Sequence, residues 1–242
     1  MKYRYLFFAI GISGCAPIWQ VPNDFSTHII DNPHHDIMAY TRLHDIKLPI
    51  HIYIEGDGNA FNAYGHPTNN PTPRGTFMRE LMASDNHPNV VYLARPCQYT
   101  GIQNCTVSDW TDGRFAPEII KSVSAAIDKI AGNRPIVLIG YSGGAMISGL
   151  AILQNPQWNV KKWITIAGVL NHSDWTQYFN DAPLVKSVDM RALPQVSQTH
   201  YIAEFDDVVP NELSYKWADK QDIILIPGAT HDAFPKLAID FQ

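Results

Sequence analysis

A serine lies between glycines in segment 140–144, which reads Gly-Tyr-Ser-Gly-Gly and fits the pattern G-x-S-x-G. An apolar run precedes this segment and predicts a buried strand, and the residues from Gly144 onward predict a helix. A serine on such a strand-to-helix turn projects its hydroxyl above the sheet, where it can attack a carbonyl carbon. Ser142 is therefore a candidate nucleophile, and the N–H of Gly143 is a candidate donor to the resulting oxyanion. The alternative is a glycine-rich turn with an incidental serine.

A nucleophilic serine needs a base to take its proton and a carboxylate to orient that base. Among ten histidines, only His231 directly follows an apolar β-rich run near the end of the chain. Asp206 begins the sequence Asp-Asp-Val-Val-Pro after the preceding β-rich run. We therefore expect His231 to be the base and Asp206 the orienting acid, with Asp207 as the reserve candidate for the acid.

A second oxyanion donor should come from the loop after an early strand. The sequence Glu-Gly-Asp-Gly at 55–58 occupies that loop, and its small residues allow backbone N–H groups to approach a substrate oxygen. The N–H of Asp57 and the N–H of Gly58 are both candidates, and the sequence leaves the choice between them open. The Asp57 carboxylate is unfavourable beside an oxyanion, so we expect it to point away into a hydrogen bond.

The elements that must position these residues alternate between strand and helix. This alternation predicts an α/β fold with a mostly parallel central sheet and helices on both faces, whose ligands bind beyond the carboxyl ends of the strands. Residues 36–43 are expected to add an antiparallel hairpin at the sheet edge. The predicted strands are 50–54, 89–94, 135–139, 163–167, 200–203 and 222–226, and the predicted helices are 75–84, 117–130 and 144–153.

The candidate residues occur in the order Ser142, Asp206 and His231, and this order resembles that of the α/β-hydrolase superfamily. Further motifs resemble a family of exported bacterial α/β-hydrolase lipoproteins, many of them uncharacterised. The resemblance implies an α/β-hydrolase fold from about residue 49 onward and defines no substrate. The motifs are Pro67-Thr68, Arg74, the run 92–99 (Tyr-Leu-Ala-Arg-Pro-Cys-Gln-Tyr), Cys105, Trp110-Thr111 and Arg114-Phe115.

Several of these residues could line a substrate pocket. Trp110 and Trp175 are the candidates for substrate contact, because aromatic rings suit an apolar acyl group or ring. Arg95, Gln98 and Arg114 could lie beside them. The alternative is that the two arginines hold the loop around the cysteines by hydrogen bonds.

The N-terminus has the layout of an exported protein. A positive start, a short apolar run and small residues ending at Cys15 predict a lipoprotein-type signal peptide over residues 1–14. Lipidation of Cys15 would attach the protein to a membrane without a spanning helix. Residues 15–35 are then expected to be a tether and residues 36–242 the catalytic domain. The alternative is an ordinary signal peptide with a chance cysteine.

Two cysteines remain after Cys15. In an oxidising compartment Cys97 and Cys105 are expected to form a disulfide, with a pair of free thiols as the alternative. Two cysteines without histidines at ligand spacing do not predict a metal site. The 18 basic and 23 acidic residues give a net charge of -5 with no basic run, so nucleic acid is not an expected partner.

These features predict a serine hydrolase that cleaves ester bonds through an acyl-enzyme intermediate without a cofactor. The expected partners are a small-molecule or lipid-like ester and, through Cys15, a membrane at the periplasm or cell surface. The competing functions are amidase, peptidase or thioesterase activity with the same residues. A non-catalytic lipoprotein that binds a partner on this fold is a further alternative.

Overall fold

The structure is a computed structural model, and it describes residues 19–101, 103–235 and 237–241. One eight-stranded sheet forms the centre of the molecule. Its strands are β1 Ser26–Ile30, β2 Ile37–Leu43, β3 Ile50–Ile54, β4 Asn89–Leu93, β5 Ile136–Tyr141, β6 Val160–Ile166, β7 Gln198–Phe205 and β8 Ile223–Thr230. They lie in the order β1-β2-β4-β3-β5-β6-β7-β8.

The strands from β4 to β8 across the sheet are all parallel, whereas β1 and β2 add an antiparallel edge. All residues of β3, β4 and β5 are buried, as expected for strands that are covered on both faces. Parallel strands need crossover connections, and their carboxyl ends meet at one edge of the sheet. That edge therefore receives the loops after β3, β5, β7 and β8.

Five helices cover the sheet: α1 Phe77–Ser84, α2 Pro117–Ala131, α3 Gly143–Gln154, α4 His172–Phe179 and α5 Asn211–Trp217. Helix α2 starts with Pro117, whose missing N–H costs nothing in a first turn. One side of α2 is apolar and packs with α3 against one face of the sheet, while Met78 and Met82 of α1 pack against the other face. The prediction of a mostly parallel sheet with helices on both faces is confirmed.

The expected tether over residues 15–35 ends earlier than the sequence indicated. Residues 26–30 pair with β2 as strand β1 instead of forming a linker. The sequence Ser-Thr-His-Ile-Ile has no alternating apolar face because an edge strand exposed to solvent needs none, and four of its five residues are exposed. The antiparallel edge is therefore a hairpin of β1 and β2, and residues 37–43 form only its second strand.

The N-terminal predictions fall outside the described residues. The signal peptide over residues 1–14 and the lipidation site Cys15 both precede residue 19, where the described chain begins. Within the described ranges, no helix is both long and apolar enough to cross a bilayer.

Candidate active site

Ser142 lies on the sharp turn between β5 and α3, at the carboxyl edge of the sheet. Its φ angle is +50°, a left-handed value that a non-glycine residue seldom adopts. The turn also needs glycine before the serine, because a Cβ on Gly140 would lie 2.6 Å from the backbone nitrogen of Ala145. The Ser142 N–H donates to the Ile166 carbonyl oxygen at 3.0 Å, which attaches the turn to the neighbouring strand β6. The local sequence thus holds this hydroxyl in a strained, fixed position.

A hydrogen-bonded chain joins Ser142 to the loop after β8. The Ser142 Oγ lies 3.0 Å from Nε2 of His231. The other ring nitrogen of His231, Nδ1, lies 3.0 Å from each carboxylate oxygen of Asp206. This arrangement allows His231 to accept the serine proton while Asp206 fixes the orientation of the ring. The three residues come from loops that follow three different strands and meet at one edge of the sheet.

The structure brings Asp206, and not Asp207, into this chain. The Asp206 side chain is 1% exposed and also accepts hydrogen bonds from the N–H groups of Val208 and Val209. Asp207 is exposed to solvent. Glu204 is exposed as well, and its carboxylate accepts the N–H of Gly228 at 2.7 Å.

The backbone after β3 lies against Ser142. A Cβ on Gly56 would stand 3.1 Å from the Ser142 Cβ, so this loop approaches the serine closely. The N–H of Gly56 already donates to Glu55, at 2.9 Å. Within the described ranges, the N–H groups of Asp57, Gly58 and Gly143 form no hydrogen bond with another residue. The choice between Asp57 and Gly58 stays open, and both remain predictions as oxyanion donors.

The Asp57 side chain turns into a cluster with Arg95 and Arg114. Arg95 Nη1 donates to Asp57 Oδ1, and Arg114 Nη1 lies 3.3 Å from Asp57 Oδ2. Burial alone would raise the pKa of Asp57, but the two guanidinium groups outweigh burial and hold that pKa below its usual value. The carboxylate is therefore ionised and neutralised by arginine, which removes the conflict between an acidic side chain and a nearby oxyanion.

A cavity of about 810 Å³ opens onto Ser142 and His231. Aromatic side chains on its wall come from Phe61, Phe77, Phe115 and Trp175, and charged residues, among them Arg114, also line it. Trp175 of α4 reaches the cavity from the segment between β6 and β7, and its contact with a substrate stays a prediction. A wall of this kind suits a substrate with an apolar or planar body.

The prediction that Trp110 lines this pocket is wrong. Trp110 is 5% exposed and packs with Ala60, Cys97 and Cys105, away from the cavity. Its indole N–H donates to the Thr68 carbonyl oxygen at 3.2 Å. A tryptophan beside a small disulfide-linked loop has little other apolar surface to pack against, so it becomes the core of that loop.

No protein-family model matches the chain, and no curated protein sequence matches it. Solved structures do match over most of its length. A lidless α/β serine hydrolase from Xanthomonas campestris aligns with a TM-score of 0.54 at 13% identity, over 89% of this chain and 88% of the other. An α/β serine hydrolase homologue from Coxiella burnetii aligns with a TM-score of 0.56 at 16% identity, over 86% and 89%. Est1E from Butyrivibrio proteoclasticus aligns with a TM-score of 0.55 at 16% identity, over 85% of this chain and 90% of the other.

The chain has the α/β-hydrolase fold. The likeness at these low identities concerns the fold alone. The sequence-based recognition of the α/β-hydrolase superfamily agrees with this result, whereas the more specific resemblance to exported lipoproteins stays a prediction.

Two side-chain contacts that the sequence did not predict support the site within this α/β-hydrolase fold. The Tyr141 hydroxyl donates to Asp232 Oδ1 at 2.5 Å and lies 3.2 Å from the His231 carbonyl oxygen, so it braces the loop that carries the histidine. Tyr92 donates to Glu55 at 2.7 Å. Burial raises the pKa of Glu55 above its usual value, although the hydrogen bonds from Tyr92 and Gly56 oppose that shift. The only sequence signal was the position of Tyr141 inside the G-x-S-x-G segment.

Cys97 and Cys105 are joined by a disulfide that closes the loop in front of Trp110. Their sulfur atoms, His35 and Asp109 form one group whose potential ligand atoms lie within 4.8 Å of one another. A metal would need the sulfurs as thiolates, and in the disulfide they are bonded to each other instead. The chemistry of this group therefore does not fit a metal centre while the disulfide is intact.

Proposed function

We propose that this protein is a serine hydrolase that cleaves ester bonds through an acyl-enzyme intermediate. The observation that carries the proposal is the chain of hydrogen bonds from Ser142 through His231 to Asp206, each about 3.0 Å long. The strained turn at Ser142 and the adjacent cavity support the same conclusion. The named serine hydrolases among the structural neighbours are consistent with it.

In the acylation step, the Ser142 oxygen attacks the ester carbonyl carbon and His231 Nε2 takes the serine proton. The carbonyl oxygen becomes an oxyanion that can accept the N–H of Gly143 and the N–H of Asp57 or Gly58. The bond to the alcohol then breaks, and His231 returns its proton to the leaving alkoxide. Asp206 stabilises the imidazolium while the proton resides on the ring.

Deacylation repeats these steps with water. His231 takes a proton from water as the water oxygen attacks the acyl carbon, and a second oxyanion forms in the same place. The bond to Ser142 breaks, the serine oxygen recovers the proton from His231, and a carboxylic acid leaves. The proton that water gives to His231 ends on the Ser142 oxygen, and the remaining hydroxyl becomes part of the carboxylic acid.

Esters are proposed ahead of amides because an alkoxide leaves more readily than an amine, so an ester demands less from the general acid. Thioesters and amides remain the competing substrate classes for the same three residues. A purified-protein panel of one acyl group presented as ester, thioester and anilide would decide among them. Faster turnover of the thioester or the anilide than of the ester would contradict the proposal.

The proposal can be tested with a fluorophosphonate probe, which reacts only with an activated serine. The wild-type protein should be labelled and Ser142→Ala should not. Ser84→Ala is a matched control, because Ser84 is exposed at the end of α1 and, among the described residues, its hydroxyl bonds only to the Leu81 carbonyl oxygen. Absence of labelling in the folded wild-type protein would favour a binding protein on the α/β-hydrolase fold.

We also propose that Cys15 carries a lipid that holds the protein on a membrane of the exporting cell. The signal-like segment before Cys15 motivates this proposal. Cys15→Ser should move the protein from the membrane fraction to the soluble fraction, and mass measurement of the mature N-terminal peptide should show acyl chains on Cys15. An unmodified Cys15 in the native protein would contradict the proposal and leave the hydrolase proposal intact.

A further inference from the structure

Three charged side chains lie together beside the nucleophile, and two of them, Arg95 and Arg114, are buried. Asp57 is the shared partner of Arg95 and Arg114, and its Oδ1 lies close to where a side chain on Gly143 would start. Arg95 is additionally satisfied, since its Nη2 donates to the Arg114 carbonyl oxygen at 2.5 Å. The two guanidinium groups share the one carboxylate of Asp57, and Glu55, the other carboxylate that acts on Arg95, accepts the hydroxyl of Tyr92 and the N–H of Gly56.

Arg114 has fewer polar partners than Arg95 among the described residues. Its side chain is 5% exposed, yet the guanidinium makes no well-formed hydrogen bond to any residue that the structure describes, and its buried Nε has no partner. The 3.3 Å approach to Asp57 is its one ion pair. Arginine has five N–H donors, and buried donors without acceptors cost free energy. A buried, under-satisfied guanidinium on a cavity wall is therefore prepared to receive an anion.

Aromatic rings enclose the same guanidinium. The Arg114 Cζ lies 5.2 Å from the ring centre of Trp175, 5.7 Å from that of Phe61 and 5.8 Å from that of Phe115. Their π-faces partly stabilise the cation without using its N–H donors.

We propose that Arg114 binds a carboxylate on the substrate, so that the enzyme prefers esters carrying a single negative charge near the scissile bond. This inference rests on the proposed function, because Arg114 and Ser142 line one cavity. A carboxylate is planar and can accept two parallel N–H groups from a guanidinium. Its single charge matches the one guanidinium of Arg114, whereas a phosphate monoester carries about -1.5 to -2.

Binding to Ser142→Ala tests the inference without turnover. Benzoate and benzamide share a flat ring and nearly the same size, and only benzoate carries a charge. Titration calorimetry should show benzoate binding at least about tenfold more tightly than benzamide, the effect of one charge-assisted hydrogen bond. Equal affinities for the two compounds would overturn the inference, whatever the behaviour of any further variant.

A second variant tests whether the preference for benzoate depends on Arg114. Ser142→Ala combined with Arg114→Gln should bind the two compounds equally, while Ser142→Ala combined with Arg191→Gln should keep the preference. Arg191 is exposed and lies outside the cavity wall. If the Arg114→Gln protein lacks a cooperative unfolding transition, Arg114→Lys replaces it. This variant should weaken the binding of benzoate more than the binding of benzamide. An unchanged preference in the folded Arg114 variant would overturn the assignment.

The two proposals fail in different ways. If the probe labels the wild-type protein but benzoate is not preferred, the hydrolase proposal stands and the carboxylate-site proposal fails. If benzoate is preferred through Arg114 but the probe does not label the protein, the carboxylate-site proposal stands and the hydrolase proposal fails.

Discussion

Both carboxylate oxygens of Asp206 lie 3.0 Å from Nδ1 of the His231 imidazole. The same carboxylate accepts two backbone N–H groups from the turn that follows it, so its position is fixed from both sides. Asp207 is adjacent in the sequence but exposed. Two neighbouring aspartates therefore offer an internal comparison of a buried orienting carboxylate with a solvated one.

Asp206→Asn should lower kcat on the order of 10⁴-fold, because an amide cannot hold the imidazole in the tautomer that accepts the serine proton. Asp207→Asn should change kcat by less than about threefold, as is usual for an exposed side chain. Steady-state kinetics on one activated ester would measure both. A larger loss for Asp207→Asn would show that the choice of acid is wrong.

The turn that carries Ser142 should tolerate no side chain at position 140. In Gly140→Ala the new methyl group would lie 2.6 Å from the backbone of Ala145, and backbone cannot move aside as a flexible side chain can. We expect a loss of about 2 kcal/mol in the free energy of unfolding, the usual scale of overpacking. Urea unfolding measures this loss directly.

Gly75→Ala is the matched control for that change. Nothing lies within 4 Å of a Cβ placed on Gly75, and its backbone does not need a left-handed φ. The free energy of unfolding should therefore stay within about 0.5 kcal/mol of the wild-type value. An equal loss of stability in both variants would mean that the close packing around Gly140 is not the cause.

Local patterns were sufficient to predict strands β3 to β8 of the sheet and the serine, histidine and aspartate of the candidate site. The apolar run before Ser142 and the loop position of His231 each depend only on nearby residues. The charge cluster could not be predicted in this way, because Asp57 and Arg114 are brought together only by the complete fold. Trp110 failed for a related reason, since the sequence does not tell whether an aromatic ring faces a cavity or fills a loop.

The disulfide should stabilise its own loop. Cys97 and Cys105 are eight positions apart, and closing so short a loop lowers the entropy of the unfolded chain by an amount worth about 2.5 kcal/mol. The double change Cys97→Ser and Cys105→Ser should lose up to this amount of stability. Hydrogen exchange should rise around Trp110 while the central strands stay protected. Two free thiols in exported protein labelled without reductant would contradict the bond.

Stability should fall in mild acid because of His200. This side chain is 1% exposed and sits between the Thr165 hydroxyl and the Gln198 side-chain oxygen, at 2.8 and 3.0 Å. Burial lowers the pKa of His200 from 6.5 to about 4, so the unfolded chain binds a proton in this window and the folded protein does not. The free energy of unfolding therefore decreases as pH falls from 6.5 to 4, by about 3 kcal/mol from this group. Urea unfolding across this range should show a shallower decline in the free energy of unfolding for His200→Gln. His66→Gln, a change at an exposed histidine, should retain the wild-type slope. An unchanged slope in His200→Gln would refute the assignment.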